Sequence, residues 1–220
     1  MSKIWGGVIT YNATQAAAVM DAIHSYHAGH ISDLKSAISV QFILGAGVVL
    51  VTLMYAENIS SSPASFAPFD ALPHVASSMG SKSFAEFHDE WLVGGNADRY
   101  GIREPRVRVV SDDKNDDRYN FYTTTVDMDK GMYQDILTIA TDTSREIADY
   151  PGAALIFVAQ PISPSMTAAS TKTGGNALGL PQNTNMMCPS SPPCSPTLVL
   201  IQAQMSISLQ PGKVPPMTSP

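Results

Sequence analysis

"AISVQFILGAGVVLVTLMY", residues 37–55, is the stretch that sets the architecture. Ile38, Val40, Phe42 and Leu44 alternate with Ser39 and Gln41, the period of a half-buried strand. Gly45-Ala46-Gly47 supplies a turn, and Val48 to Tyr55 returns apolar on both faces. That combination predicts a hairpin whose second strand is central or covered.

Upstream, Lys3 to Tyr11 reads as a strand, and Asn12 with Gln15 three residues on has a capping-box pattern. The next helix carries Ala16, Val19, Ile23 and Tyr26 on one stripe, and Gly29 can end it. Downstream, residues 58–73 are a Pro/Ser-rich connection with Phe66 and Phe69 as anchors. Ser83 and Glu86 form a capping box for a helix with Phe84, Phe87, His88 and Trp91 on one face.

Tyr119 to Val126 is strand-like, and we expect it to be a central strand. Asp129 caps a helix whose apolar residues are Met132, Ile136, Ile139, Ala140 and Ile147. Ala153 to Gln160 and Leu198 to Ser208 are the last two strands. The order predicts an α+β domain, an antiparallel sheet with helices packed on one face. Residues 1–208 form this domain. Residues 101–117 and 181–197 read as insertions, and residues 209–220 as a disordered tail.

Composition limits the function. The chain has 220 residues, of which 44% are hydrophobic and 15% charged, enough for one domain with a real core. Its net charge of −6 and the lack of a basic stripe argue against nucleic acid. No apolar run approaches the roughly 20 residues that cross a bilayer, and the first residues lack the apolar core of a signal peptide. No membrane partner is expected. Cys188 and Cys194 stand apart from any further zinc ligand and read as a free pair, with a local disulfide as the alternative.

Few residues offer chemistry. His24, His27 and His30 would span about 120° of a helix, too wide for a three-ligand metal site. They read as a solvated helix end. His88, Asp89 and Glu90 are consecutive and diverge on a helix, so His88 reads as a core-edge residue. The pairs Asp112-Asp113 and Asp116-Asp117 lack calcium-loop spacing. No metal site is expected. Tyr119 and Tyr122 are candidates to hold a substrate or act as a base, against a default of packing.

"TGGNALGL", residues 173–180, has adjacent glycines, but not the G-x-G-x-x-G spacing of a dinucleotide turn. The next residues, PQNTNMM, cannot open a long helix. The motif therefore reads as a tight turn or a bulge where backbone meets backbone. Asn176 can adopt or cap a left-handed conformation there.

A strand with Pro161 and Pro164 near its end, followed by "GGNALGL", resembles the fungal FAD-linked oxidoreductases of the berberine bridge enzyme-like family. "KIWGGVITY", "YAENISSSPASFAPFDALP", "YNFYTTTV" and "LVLIQAQMSIS" are similar, in order, to further segments of that family's substrate-binding domain. The resemblance implies FAD as the family cofactor and a small molecule as substrate. Tyr119, Tyr122 and Asn176 become the substrate-side candidates.

Family members are more than twice this long, and their flavin-binding domain has no counterpart in this sequence. We therefore expect the substrate-binding part of such an oxidoreductase of specialised metabolism, with no FAD bound to this chain alone. A separate flavin-binding domain would be its partner. The alternatives are a flavin-free binding or pericyclase-like module and an inactive truncated product. No catalytic base and no flavin-attachment residue can be carried over from the family.

Overall fold

The computed structural model of the chain describes residues 3–30, 33–92, 117–127, 129–149, 153–162, 174–175 and 198–208. In chain order these form β1 (Lys3–Asn12), α1 (Ala16–His30), β2 (Ser36–Ile43), β3 (Val48–Tyr55) and a short α2 (Ala67–Asp70). Next come β4 (Ala76–Ser77), β5 (Gly80–Ser83), α3 (Phe84–Leu92), β6 (Asp117–Asp127), α4 (Lys130–Glu146), β7 (Ala153–Ile162) and β8 (Leu198–Ser208).

The strands form one eight-stranded sheet in the order β4-β1-β3-β2-β7-β8-β6, with β5 also paired to β1. Every pairing is antiparallel. The fold is α+β, as the order of elements implies.

The hairpin of residues 37–55 forms with Ile43 opposite Val48 and Ser36 opposite Tyr55. Its connection is a 3-10 turn, Leu44–Ala46, closed by Gly47 at φ 73. Glycine takes that left-handed conformation without the steric penalty of a Cβ. The doubly apolar β3 lies between β1 and β2, so both of its edges are paired.

One face of the sheet carries the core. Ile9 and Tyr11 of β1, Val40 and Phe42 of β2, Val49, Val51 and Leu53 of β3, and Phe157 of β7 are all at most 2% exposed. Val19, Met20 and Ile23 of α1 and Tyr133, Leu137 and Ala140 of α4 close over them. Each such large side chain contributes about 1.5–3 kcal/mol of burial. Phe66 and Phe69 are fully buried in the same core, as their anchoring role requires. The Phe69 carbonyl accepts a 2.8 Å hydrogen bond from the Tyr11 hydroxyl.

Several local expectations change in detail. Asn12 accepts from the Thr14 amide, but it opens a 3-10 turn, Ala13–Gln15, that leads into α1. α1 runs on through Gly29 to His30. In α4 the buried stripe is Tyr133, Leu137 and Ala140, while Met132 and Ile139 are exposed. α3 begins with the Ser83/Glu86 capping box formed in both directions, but Phe84 and His88 face solvent and Phe87 is buried. His88 is therefore not a core-edge residue.

Among the described residues β6 stands at the end of the strand order, beside β8, and is not central there. It begins at Asp117, so the last residue of the expected 101–117 insertion is strand. The rest of that segment, residues 181–197 and the tail from 209 lie outside the described residues, as do Cys188 and Cys194.

Candidate functional site

Side chains alternate across a strand, so the sheet has a second face opposite the core. On β2 and β3 this face carries Ser39, Gln41, Leu50 and Thr52. Register sets Ser39 opposite Thr52 and Gln41 opposite both Leu50 and Val158. Ser39, Gln41, Leu50, Val158 and Gln160 are half-buried. The polar positions were already visible as the polar half of β2's alternation. At the β1 end α3 covers this face, and Phe87 lies over Gly6.

Two glycines of β1 make that cover possible. A Cβ on Gly6 would lie 2.7 Å from the Leu53 carbonyl and 3.2 Å from the Phe87 ring. A Cβ on Gly7 would lie 2.7 Å from the Ser78 backbone. α3 is also tied down by charge. Lys82 Nζ is 2.6 Å from a Glu90 carboxylate oxygen and donates to the Ser78 carbonyl at 2.7 Å. The Ser78 hydroxyl accepts from the Val8 amide at 2.9 Å and donates to the same Glu90 oxygen at 3.0 Å. This network pins α3 to β1.

Of the sequence-derived candidates, Tyr119 and Tyr122 lie on β6. Tyr119 pairs with Ser206 and Tyr122 with Ala203. Three residues apart on one strand, they occupy positions of opposite parity, so the alternation assigns them to different faces of the sheet. Asn176 lies outside the described residues. Its neighbours Gly174 and Gly175 have φ of 95 and 102, the left-handed region the glycine pair implied. No described atom lies within 4 Å of a Cβ built on either, so the close backbone contact offered as a bulge is not seen among the described residues.

The histidines differ most from expectation. His27 is 1% exposed and sits in the core between α1 and α4. Its Nδ1 is 2.8 Å from the Tyr133 hydroxyl, and its Nε2 has no partner among the described residues. Burial first, and His24 second, lower its pKa to about 3, so it is neutral at physiological pH. It is not part of a solvated helix end. Burial also pushes the Tyr11 and Tyr133 hydroxyls above their ordinary range, which removes both as bases.

Among the described residues no group of three or more His, Cys, Asp and Glu could hold a metal ion. No described helix is long and apolar enough to cross a membrane.

No protein-family model matches the chain, and no curated protein matches it. Solved structures do. BBE-like 1 of Physcomitrella patens matches with a TM-score of 0.55 at 12% identity, over 94% of this chain and 39% of that one. A xylooligosaccharide oxidase from Myceliophthora thermophila C1, in complex with xylobiose, matches with a TM-score of 0.50 at 10% identity, over 92% and 39%. The chain spans 39% of the length of each. It shares the α+β fold of that portion of both.

Proposed function

We propose that this chain is the substrate-binding part of an FAD-linked oxidoreductase of the BBE-like type, acting in fungal specialised metabolism. Its partner would be a flavin-binding domain, and its ligand a small molecule held on the sheet face opposite the core. The observation that carries the reading is the fold match of 94% of this chain to 39% of a BBE-like chain. The ordered sequence motifs of residues 3–208 support it independently.

The described residues do not themselves fit FAD. A pyrophosphate site needs a glycine turn between a strand and the start of a helix. No described atom lies within 4 Å of a Cβ built on Gly174 or Gly175, and the next described element is β8. Flavin chemistry, hydride acceptance from the substrate, would therefore come from the partner. The role left to this chain is to hold and orient the substrate, and no proton transfer is assigned to it.

The test is to purify the chain alone and then mix it with a separately expressed flavin-binding domain of a BBE-like relative. The chain alone should show no flavin absorption after gel filtration. The mixture should form a yellow complex that consumes oxygen with an oxidisable small molecule. Flavin retained by the chain alone would refute the division of roles. Failure of the two to associate would favour a flavin-free module.

A further inference from the structure

β3, β2, β7 and β8 lie side by side in the sheet and contain no Asp, Glu, Lys, Arg or His. The chain as a whole is 15% charged, and this gap spans the middle of the sheet. On the core face a lack of charge follows from burial under α1 and α4. On the opposite face burial does not account for it, because Ser39, Gln41, Val158 and Gln160 are only half-buried.

In these four strands that second face mixes apolar positions with uncharged polar ones and carries no ionic residue. Ser39 lies opposite Thr52, and Gln41 opposite Val158. The row continues, since Val158 pairs with Gln202 and Ile156 with Gln204. The two-residue period places positions 202 and 204 on the same face as Gln41 and Gln160. Four glutamine positions and a Ser/Thr pair thus share one face across four neighbouring strands.

We propose that this face takes an uncharged small molecule bearing hydroxyl or carbonyl oxygens, and discriminates against carboxylates and ammonium ions. The proposal rests on the reading that this face is the substrate side. A carboxylate or ammonium group set on it would give up hydration with no opposite charge in these four strands. A glutamine amide both donates and accepts, so it can pair with a hydroxyl or a carbonyl. The apolar neighbours Leu50 and Val158 provide contact area for the ligand's carbon frame.

The experiment uses matched triads on one scaffold. One is hydroxybenzyl alcohol, hydroxybenzoate and hydroxybenzylamine; the other is a methyl glucoside with its uronate and amino counterparts. Binding to the full chain is measured by calorimetry and by shifts of glutamine side-chain amides in NMR spectra. The neutral member should bind more tightly than either ionic member by about tenfold, one decade of affinity, and should shift the Gln41 and Gln160 amides.

Gln41→Glu should move the preference toward the ammonium member. Gln160→Glu serves the same purpose if the first variant does not fold. Ionic members binding as tightly as neutral ones would overturn the proposal. So would the absence of any shift at Gln41 and Gln160 with both triads. Flavin content is scored separately. A chain that retains flavin but prefers neutral ligands would refute the division of roles alone. A chain that associates with a flavin-binding domain but prefers ionic ligands would refute this inference alone.

Discussion

His27 and Tyr133 join α1 to α4 through a 2.8 Å contact between Nδ1 and the phenolic hydroxyl, across 106 positions of sequence. Both residues are at most 2% exposed. Among the described residues His27 Nε2 has no partner, and the Tyr133 hydroxyl is the one side-chain polar contact to the ring. Removing it strands a buried imidazole. Tyr133→Phe should destabilise the fold by about 1–3 kcal/mol, the cost of an unsatisfied buried polar group. In a double-mutant cycle by urea denaturation, adding His27→Leu should recover part of that loss. Additive effects would show that the pair is not coupled.

The same histidine makes the fold acid-sensitive. Its folded pKa is lowered to about 3 by burial and by His24, against an ordinary value of 6.5. Above the unfolded value both states are neutral, and its contribution to stability is complete. As pH falls below 6.5 the unfolded chain binds a proton that the folded chain refuses. Stability is lost progressively until pH approaches 3, on the order of a few kcal/mol in total. Melting temperatures from about pH 7 to about pH 4 should fall more steeply for the wild type than for His27→Leu. Parallel curves would mean that another group sets the acid response.

The hairpin was legible in the sequence because its signal is local: Ile38, Val40 and Phe42 alternate with Ser39 and Gln41, and Gly47 closes the turn. The anchors Phe66 and Phe69, the Asp129 cap and the Ser83/Glu86 box were legible for the same reason. The α4 stripe was legible in part: Ala140 is buried, and Ile136 and Ile147 pack against the core. Met132 and Ile139 repeat at helical spacing, but so do Tyr133 and Leu137, and only the sheet beneath selects between them. His27 was misread because three regularly spaced histidines look solvated when their helix partner, 106 positions away, is unknown.

The placement of β6 failed on the same ground. Alternation from Tyr119 to Val126 reports a strand and not its neighbours, although a spacing of three already sets Tyr119 and Tyr122 at positions of opposite parity. β4 and β5 escaped notice because "ASSMGSKS" has no apolar period. The charge-free second face is written in the sequence strand by strand. It becomes a surface only once the order β3-β2-β7-β8 is known.

Gly6 is fixed by space. Its Cβ would stand 2.7 Å from a backbone carbonyl that cannot rotate away, and 3.2 Å from the Phe87 ring. Gly6→Ala should therefore push β1 from β3 or lift α3, at a cost of about 1–3 kcal/mol, as overpacking does. Thermal denaturation should show the loss. Gly80→Ala, which meets nothing within 4 Å, is the control and should be close to neutral.

The Lys82–Glu90 pair offers a test of how α3 is held. The Lys82 side chain is 10% exposed and the Glu90 side chain 28%, so neither charge is freely solvated. Removing one partner from a buried pair leaves the other uncompensated, at about 3 kcal/mol. Lys82→Met should show much of this loss. Lys82→Met with Glu90→Leu should restore a good part of it, since two apolar side chains fill the same space without stranding a charge. Hydrogen exchange in α3 should accelerate in the single variant. Unchanged exchange would place the anchoring in Phe87 alone.

The last prediction concerns the second face in isolation. Val48, Leu50, Met54, Ile156 and Val158 are half-buried on it, and none belongs to the core cluster under the helices. In the proposed complete enzyme a flavin-binding domain covers this face. Alone, each large side chain forfeits part of the roughly 1.5–3 kcal/mol that full burial supplies, against a net stability of about 5–15 kcal/mol for a typical domain. Contiguous apolar patches beyond a few hundred Å2 mark an interaction surface or an aggregation liability. The isolated chain should therefore bind a hydrophobic dye and self-associate with rising concentration, read by fluorescence and light scattering. A separately expressed flavin-binding domain of a relative should suppress both signals in proportion to the complex formed. A Leu50→Gln variant should weaken dye binding in the chain alone without lowering its melting temperature. A sharply melting, dye-negative monomer would mean that the face needs no cover. The flavin-free binding module would then be the better account of this chain.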